Sequence, residues 1–225
     1  MINTASIINV PFLRMKEDLD AMVAGGVRYF HIDLMDGHYV PNLCMPIKLI
    51  RELKDAYPQV AMDVHVMVTD PCAYIERLKE AGADYMVFHT DSTNFVRRTI
   101  NEIHKAGMKA GIVINPSQRI DHIAPYAEYV DMVMLMAVEP GFAGQPLLEG
   151  SMERLQEIAD LRRQYGCKFL ISVDGGIDHE RCLRCREIGV DMIVGTVHNI
   201  FQQPDGLKSA CMRFEREFGE TAGGE

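Results

Sequence analysis

The sequence holds no window of about 18 uninterrupted apolar residues, so a membrane-spanning helix is not expected. It opens Met1-Ile2-Asn3-Thr4, with neither a basic leader nor a long apolar run behind it, and a cytoplasmic protein is expected. Positive charge is scarce: 23 Lys and Arg stand against 32 Asp and Glu, a net charge of −9. That balance argues against a surface that tracks a nucleic-acid backbone. It does not forbid a small anion, which a nest of backbone N–H groups can hold without side-chain charge. Cysteine is also thin, with six residues scattered over the chain, and reduced thiols are expected. Cys182-Leu183-Arg184-Cys185 has no second pair to complete a metal site and reads as helix packing. No Gly-x-Gly-x-x-Gly follows the first apolar run, which counts against the runner-up fold, an open doubly wound sheet.

What is present is ordinary for a soluble globule, with 48% hydrophobic and 24% charged residues in 225, a length that suits one domain. Apolar, β-branched or aromatic runs recur at Ala5–Val10, Tyr29–Met35, Val60–Val68, Tyr85–Thr90, Lys109–Asn115, Met132–Ala137, Lys168–Asp174 and Met192–Thr196. Between most of them the spacing turns helical, at Phe12–Ala24, Pro46–Tyr57, Cys72–Ala81, Phe95–Ala106 and Glu149–Tyr165, with only a short helix after Pro116. Glycine punctuates the helix ends, at Gly25-Gly26, Gly82, Gly107, Gly166 and Gly189, where a left-handed cap costs it nothing. Eight strand-helix units in alternation predict a parallel sheet closed into a (β/α)8 TIM barrel, an α/β fold. One domain is expected over 1–225, with the barrel at about 5–201 and a C-terminal helix and tail at 202–225.

Active sites of such barrels lie at the C-terminal ends of the strands, and polar residues gather there. His31 and Asp33 end the second strand, His65 the third, His89 the fourth, Asn115 the fifth, Asp174 the seventh, and Gly195-Thr196 the eighth. Alternation puts His31, Asp33 and Met35 on one face, and Asp63, His65 and Met67 likewise. Two imidazoles and two carboxylates, His31, His65, Asp33 and Asp174, therefore converge on one mouth and suit a divalent metal. Two carboxylates beside a metal can serve as acid and base. A second group is glycine-rich: Gly141-Phe142-Ala143-Gly144 after the sixth strand, Gly175-Gly176 after the seventh, and Gly195-Thr196. Loops at this rim commonly hold phosphate through backbone N–H groups, which predicts a phosphorylated substrate.

The stretches His31-Ile32-Asp33-Leu34-Met35-Asp36-Gly37-His38-Tyr39-Val40-Pro41-Asn42, Asp63-Val64-His65-Val66-Met67-Val68, Met136-Ala137-Val138-Glu139-Pro140-Gly141-Phe142-Ala143-Gly144-Gln145 and Val173-Asp174-Gly175-Gly176-Ile177 resemble, in order, the motifs of the ribulose-phosphate 3-epimerase family. The resemblance runs from Ser6 to about Phe201. It implies an isomerase that inverts C3 of a ketose phosphate by two-base proton transfer through a metal-stabilised cis-enediolate, best matched to D-ribulose 5-phosphate giving D-xylulose 5-phosphate. It implies that His31, Asp33, His65 and Asp174 bind one divalent ion per subunit (zinc, manganese, iron or cobalt), and that Asp33 and Asp174 also move the proton. It further implies that Ser6 and His65 contact substrate, and that Gly141, Phe142, Ala143, Gly144, Gly175, Gly176, Gly195 and Thr196 hold it and its phosphate. Met35, Met67 and Met136 match the family's methionines around the enediolate. A homo-oligomer is implied as well.

The chain departs from the family pattern at Ser6-Ile7-Ile8-Asn9-Val10-Pro11-Phe12, which lacks the usual Asp, and at Cys44-Met45-Pro46, one residue shorter than usual. The Gly-Phe-Ala-Gly-Gln-Pro and Val-Gly-Thr wording is similar to the allulose-6-phosphate 3-epimerase branch, which is the alternative substrate reading; Gly175-Gly176 keeps the ribulose form. Two readings from other classes compete. A decarboxylase of the orotidine-phosphate kind needs an Asp-x-Lys-x-x-Asp array, and Asp33 is followed by Leu34 and Met35 instead. A non-catalytic sugar-phosphate sensor has no need of two proton-transfer carboxylates.

Overall fold

The computed structural model describes residues 1–195 and 199–219. Its nine strands are β1 (Ile2–Ser6), β2 (Tyr29–Asp36), β3 (Leu43–Cys44), β4 (Ala61–Met67), β5 (Tyr85–His89), β6 (Lys109–Ile114), β7 (Met132–Met136), β8 (Leu170–Asp174) and β9 (Met192–Gly195). Eight of them pair in parallel, in the order β1-β9-β8-β7-β6-β5-β4-β2, and β1 pairs with β2 to close the ring. The expected (β/α)8 barrel is therefore the fold. The ninth strand, β3, is a two-residue antiparallel rung on β2, beside Met35 and Asp36. Among the described residues the α-helices are α1 (Met15–Ala24), α2 (Ile47–Ala56), α3 (Ile75–Ala81), α4 (Val96–Lys105), α5 (Ser151–Tyr165), α6 (His179–Ile188) and α7 (Leu207–Phe218), and the link after β6 holds only a 3-10 turn, Ile120–Ile123.

The first strand corrects an expectation. The apolar run prolonged by Ile7 and Ile8 predicts strand over Ala5–Val10, yet β1 stops at Ser6 and Ile7–Asn9 turn as a 3-10 helix. The strand begins instead at Ile2, through polar residues, Asn3 and Thr4, that are buried to 1% and 0% exposure. Polar side chains hid a buried strand.

Alternation divides the core into two layers. Outward-facing Phe30, Ile32, Leu34, Met62, Val64, Val66, Ile112, Val133, Leu135, Ile171, Val173 and Ile193 pack under the helices in one continuous cluster. Burying each such side chain stabilises the fold by about 1.5–3 kcal/mol. Inward-facing Tyr85, Val87, Val113, Met132, Met134, Met192 and Val194 fill the barrel. Apolar side chains thus fill much of the barrel interior, and the cluster of titratable groups lies toward its upper end.

The lower rim is tied by a device that recurs three times. Asp84, Asp131 and Asp191 each precede a strand, and each accepts a backbone N–H from the strand before it: Met62 at 2.7 Å, Ala110 at 2.8 Å and Ile171 at 2.7 Å. Each also pairs with a basic side chain from a surrounding helix, respectively Lys54 at 2.8 Å, His104 at 2.8 Å and Arg162. Strand and helix are thus fixed to one another below the barrel, away from its mouth.

Candidate active site

The four metal candidates meet as their strand positions predict. One ligand atom each from His31, Asp33, His65 and Asp174 all lie within 4.8 Å of one another. β2 supplies His31 and Asp33, β4 supplies His65, and Asp174 ends β8. His31 Nε2 lies 3.4 Å from Asp33 Oδ1, and His65 Nδ1 lies 3.3 Å from the same oxygen and 3.9 Å from Asp174 Oδ2. His31 and His65 are fully buried and Asp33 is 5% exposed. His31 Nε2 is buried without a hydrogen-bond partner, facing the carboxylates. A buried imidazole nitrogen without a hydrogen-bond partner, standing beside a carboxylate within a mixed N and O donor set, fits a divalent metal.

Around these four stand residues that orient them. Asp63, fully buried on β4, lies 2.8 Å from His31 Nδ1 through Oδ2, which turns Nε2 toward the cluster. Ser6 Oγ donates to Asp33 Oδ2 at 3.1 Å, so the expected substrate-contacting serine is engaged with a carboxylate. His65 Nε2 lies 2.8 Å from His89 Nε2, with the ring centroids 5.0 Å apart. Sequence reasoning put Asp63 on the inner face without giving it a part. Two buried residues two positions apart on β4, one a carboxylate and one an imidazole, were the available signal.

Electrostatics separate the two catalytic candidates. Burial opposes ionisation of Asp33, but His31 and His65 outweigh it and hold this carboxyl well below the usual carboxylate range. Burial raises Asp174 above that range, with Asp33 and Asp63 adding to it and His31 and His65 opposing. Burial disfavours a charged His31, yet Asp33 and Asp63 lift it well above the ordinary histidine value.

Above the cluster opens a cavity. Asp33 and Asp174 reach it, whereas His31 and His65 lie beneath and do not line it. Met35, Met67 and Met136 line it on one part, and Ser6, Gly141, Phe142, Ala143, Gly144, Gly175 and Gly176 line it as well. Gly176 sits at φ +63°, and a Cβ there would come within 2.5 Å of Leu147 N; one on Gly175, at φ +112°, would meet Val138 at 2.6 Å. Neither position has room for a side chain, so backbone is what both present. Gly195 ends β9 but does not line the cavity; it packs against Asn3 and Ile200. Thr196 lies outside the described residues. Ile8, Asn9, Val138, Glu139 and Gln145 also line the cavity, and the sequence reading gave none of them a role. The Cys182 and Cys185 thiols are buried on α6, and burial pushes both up to about 12, in keeping with packing. Among the described residues no helix is long and apolar enough to cross a membrane.

Comparison with known proteins starts with the fold. KGPDC from Streptococcus mutans superposes with a TM-score of 0.70 at 12% identity, covering 96% of this chain and 95% of that one. 3-Hexulose-6-phosphate synthase from Salmonella typhimurium does so at 0.70 and 18%, covering 95% and 97%, and orotidine 5'-phosphate decarboxylase from Pyrococcus horikoshii OT3 at 0.68 and 15%, covering 94% and 96%. At such identities the likeness is one of barrel architecture. Sequence relatives go further. Ribulose-phosphate 3-epimerase of Buchnera aphidicola subsp. Schizaphis graminum is 35% identical over 190 residues, 84% of this chain and 83% of that protein. The enzymes of that name from Bacillus subtilis (35% over 196 residues, 86% and 90%) and Escherichia coli K12 (32% over 203 residues, 90% of each) agree. The model of the ribulose-phosphate 3 epimerase family matches residues 2–201, which span every strand of the barrel and all four members of the buried cluster. The chain belongs to the ribulose-phosphate 3-epimerase family, and is an isomerase.

Proposed function

We propose that the protein interconverts D-ribulose 5-phosphate and D-xylulose 5-phosphate, with Asp33 and Asp174 as the two proton-transfer groups. The observation that carries this reading is the pair of carboxylates from different strands, both reaching one cavity and held by their surroundings on opposite sides of the usual carboxylate range. Inversion at a carbon beside a carbonyl needs a base on one face and an acid on the other. Asp33 takes the C3 proton from one face, and Asp174 returns a proton to the opposite face. The reverse direction exchanges the roles.

His31, Asp33, His65 and Asp174 would hold one divalent cation, of the zinc, manganese, iron or cobalt group. When bound, it supplies positive charge to the oxygens at C2 and C3 as negative charge develops there. Asp63 orients His31, and Ser6 orients Asp33. The methionine wall keeps water from the reacting carbon and offers a polarizable surface. Gly144, Gly175 and Gly176 approach the phosphate with backbone alone, which reconciles an anionic substrate with a chain of net charge −9.

Incubation of metal-loaded protein with D-ribulose 5-phosphate should give D-xylulose 5-phosphate, read by NMR, alongside a six-carbon ketose 6-phosphate as comparison. Preference for the six-carbon sugar would move the substrate assignment. No conversion of either would overturn the proposal.

A further inference from the structure

We infer that His89 is a positioning residue for the metal centre: by accepting a hydrogen bond from His65 Nε2 it leaves His65 Nδ1 bare toward Asp33 and Asp174. The inference rests on the metal-centre reading above. It is carried by polar contacts that run inward from the surface to Asn115, by the contact between His89 and His65, and by two buried polar atoms, Asn115 Oδ1 and His89 Nδ1, that have no hydrogen-bond partner elsewhere.

The chain begins at Asp91, an exposed carboxylate two residues past β5. Tyr39 Oη donates to Asp91 Oδ1 at 2.7 Å, and Asn115 Nδ2 lies 2.9 Å from Asp91 Oδ2. An ionised carboxylate only accepts, so the end of the Asn115 carboxamide that faces it must be the NH2. The other hydrogen of that NH2 goes to Tyr39 Oη, at 2.7 Å, which is free to accept because its own hydrogen is on Asp91. Asn115 Oδ1 is thereby left as an acceptor. It is buried and has no other partner, and His89 Nδ1 is likewise buried and without one, with the Asn115 carboxamide standing as a hydrogen-bonding group beside His89. The Tyr39 ring packs on His89 at 4.7 Å and holds its plane.

These constraints place the His89 hydrogen on Nδ1, toward Asn115, and leave Nε2 as a lone pair. His65 Nε2 is 2.8 Å from that lone pair, and one hydrogen must lie between the two nitrogens, so it belongs to His65. A neutral imidazole has one N–H. With it on Nε2, His65 Nδ1 offers a lone pair where Asp33 Oδ1 and Asp174 Oδ2 stand 3.3 and 3.9 Å away. The opposite arrangement would point an N–H into the place a cation must occupy. His89 thus does for His65 what Asp63 does for His31, although an imidazole acts in one case and a carboxylate in the other.

Two measurements on the whole protein test this. In zinc-loaded protein with 15N-labelled histidine, long-range 1H–15N correlations should show His65 carrying hydrogen on Nε2 and His89 carrying it on Nδ1; hydrogen on His89 Nε2 would overturn the inference, and no variant is needed to see it. Titration with cobalt against a competing chelator should show His89→Phe binding about 10- to 100-fold more weakly than wild type with a shifted visible spectrum. His89→Gln, which keeps an acceptor, should recover most of the affinity. If His89→Phe binds cobalt as wild type does, with the same spectrum, the inference alone fails. If wild type binds neither zinc nor cobalt, the metal-centre reading fails and takes the inference with it.

Discussion

At the scale of single residues, position along a strand decides chemistry. His31 and Asp33, or Asp63 and His65, are two residues apart and so share the inner face, whereas Ile32 and Val64 between them lie in the outer core. That alternation made the four metal candidates legible from sequence alone. What could not be read was how each is held. The engagement of Ser6 with Asp33, the Asp63 partner of His31 and the His89 partner of His65 depend on which strands adjoin and in what register, Ser6 beside His31 and Asp33 beside His65. The state of the carboxylates was equally hidden, since it comes from neighbours on three strands. Replacing Asp174 by Asn keeps shape and removes the proton-transfer group. Turnover of D-ribulose 5-phosphate should fall by about 10^2–10^4-fold while the variant still binds ligand, as read by steady-state kinetics and a thermal-shift titration. Wild-type turnover in the variant would remove Asp174 from the reaction.

At the scale of elements, sequence periodicity located strands and helices within a few residues, and its errors have causes. The helix starts expected at Phe12 and Cys72 fall inside 3-10 turns, Phe12–Arg14 and Pro71–Tyr74, that lead into α1 and α3. β3 went unseen because two residues carry no period. The loop between β2 and β3 is organised by Asp36: Oδ1 accepts from His38 N and Tyr39 N, each at 2.8 Å, and Oδ2 accepts from Thr69 N at 2.9 Å and Thr69 Oγ1 at 3.0 Å. Burial works against its ionisation, but these donors prevail and bring Asp36 down to about 2. A carboxyl lowered in the folded state stabilises the protein above its unfolded value and ceases to do so as pH falls through its folded value. Asp36→Asn should therefore be less stable than wild type at pH 7, with the gap in chemical denaturation closing as pH falls from about 4 toward 2. A gap unchanged over that range would show that the charge of Asp36 is not what fixes the loop.

The aspartates below the barrel escaped sequence reading for a related reason. Asp84, Asp131 and Asp191 look like turn residues after a glycine cap or a valine, and nothing local announces that each will receive an N–H from a neighbouring strand. Asp191→Ala removes the acceptor for Ile171 N and the partner of Arg162. Urea unfolding should show a loss of about 1.5–3 kcal/mol, with kcat at 25 °C unaltered because the change is remote from the mouth. A lowered kcat at full stability would mean that the lower rim communicates with the site.

At the scale of the whole molecule, the eightfold alternation of strand and helix was written in the sequence, and closure followed from the count. The barrel then sorts its interior along the axis. Tyr85, Met132 and Met192 occupy its filled part, while Asp33, Asp174 and three methionines face the cavity at the mouth, and the glycine loops rim it. One end of the chain's interior is built for packing and the other for chemistry. Gly195 ends β9 at the same rim, packed against Asn3 and Ile200.

The central claim, that this mouth removes and returns a proton at C3, has a direct test. Metal-loaded protein is incubated with D-ribulose 5-phosphate in deuterium oxide, and the C3–H signal is followed by NMR together with metal analysis of the same sample. The account predicts deuterium at C3 in both the remaining D-ribulose 5-phosphate and the D-xylulose 5-phosphate formed, and loss of that exchange in Asp33→Asn. Xylulose 5-phosphate formed with its C3 hydrogen fully retained, or no exchange at C3 with metal bound, would contradict it.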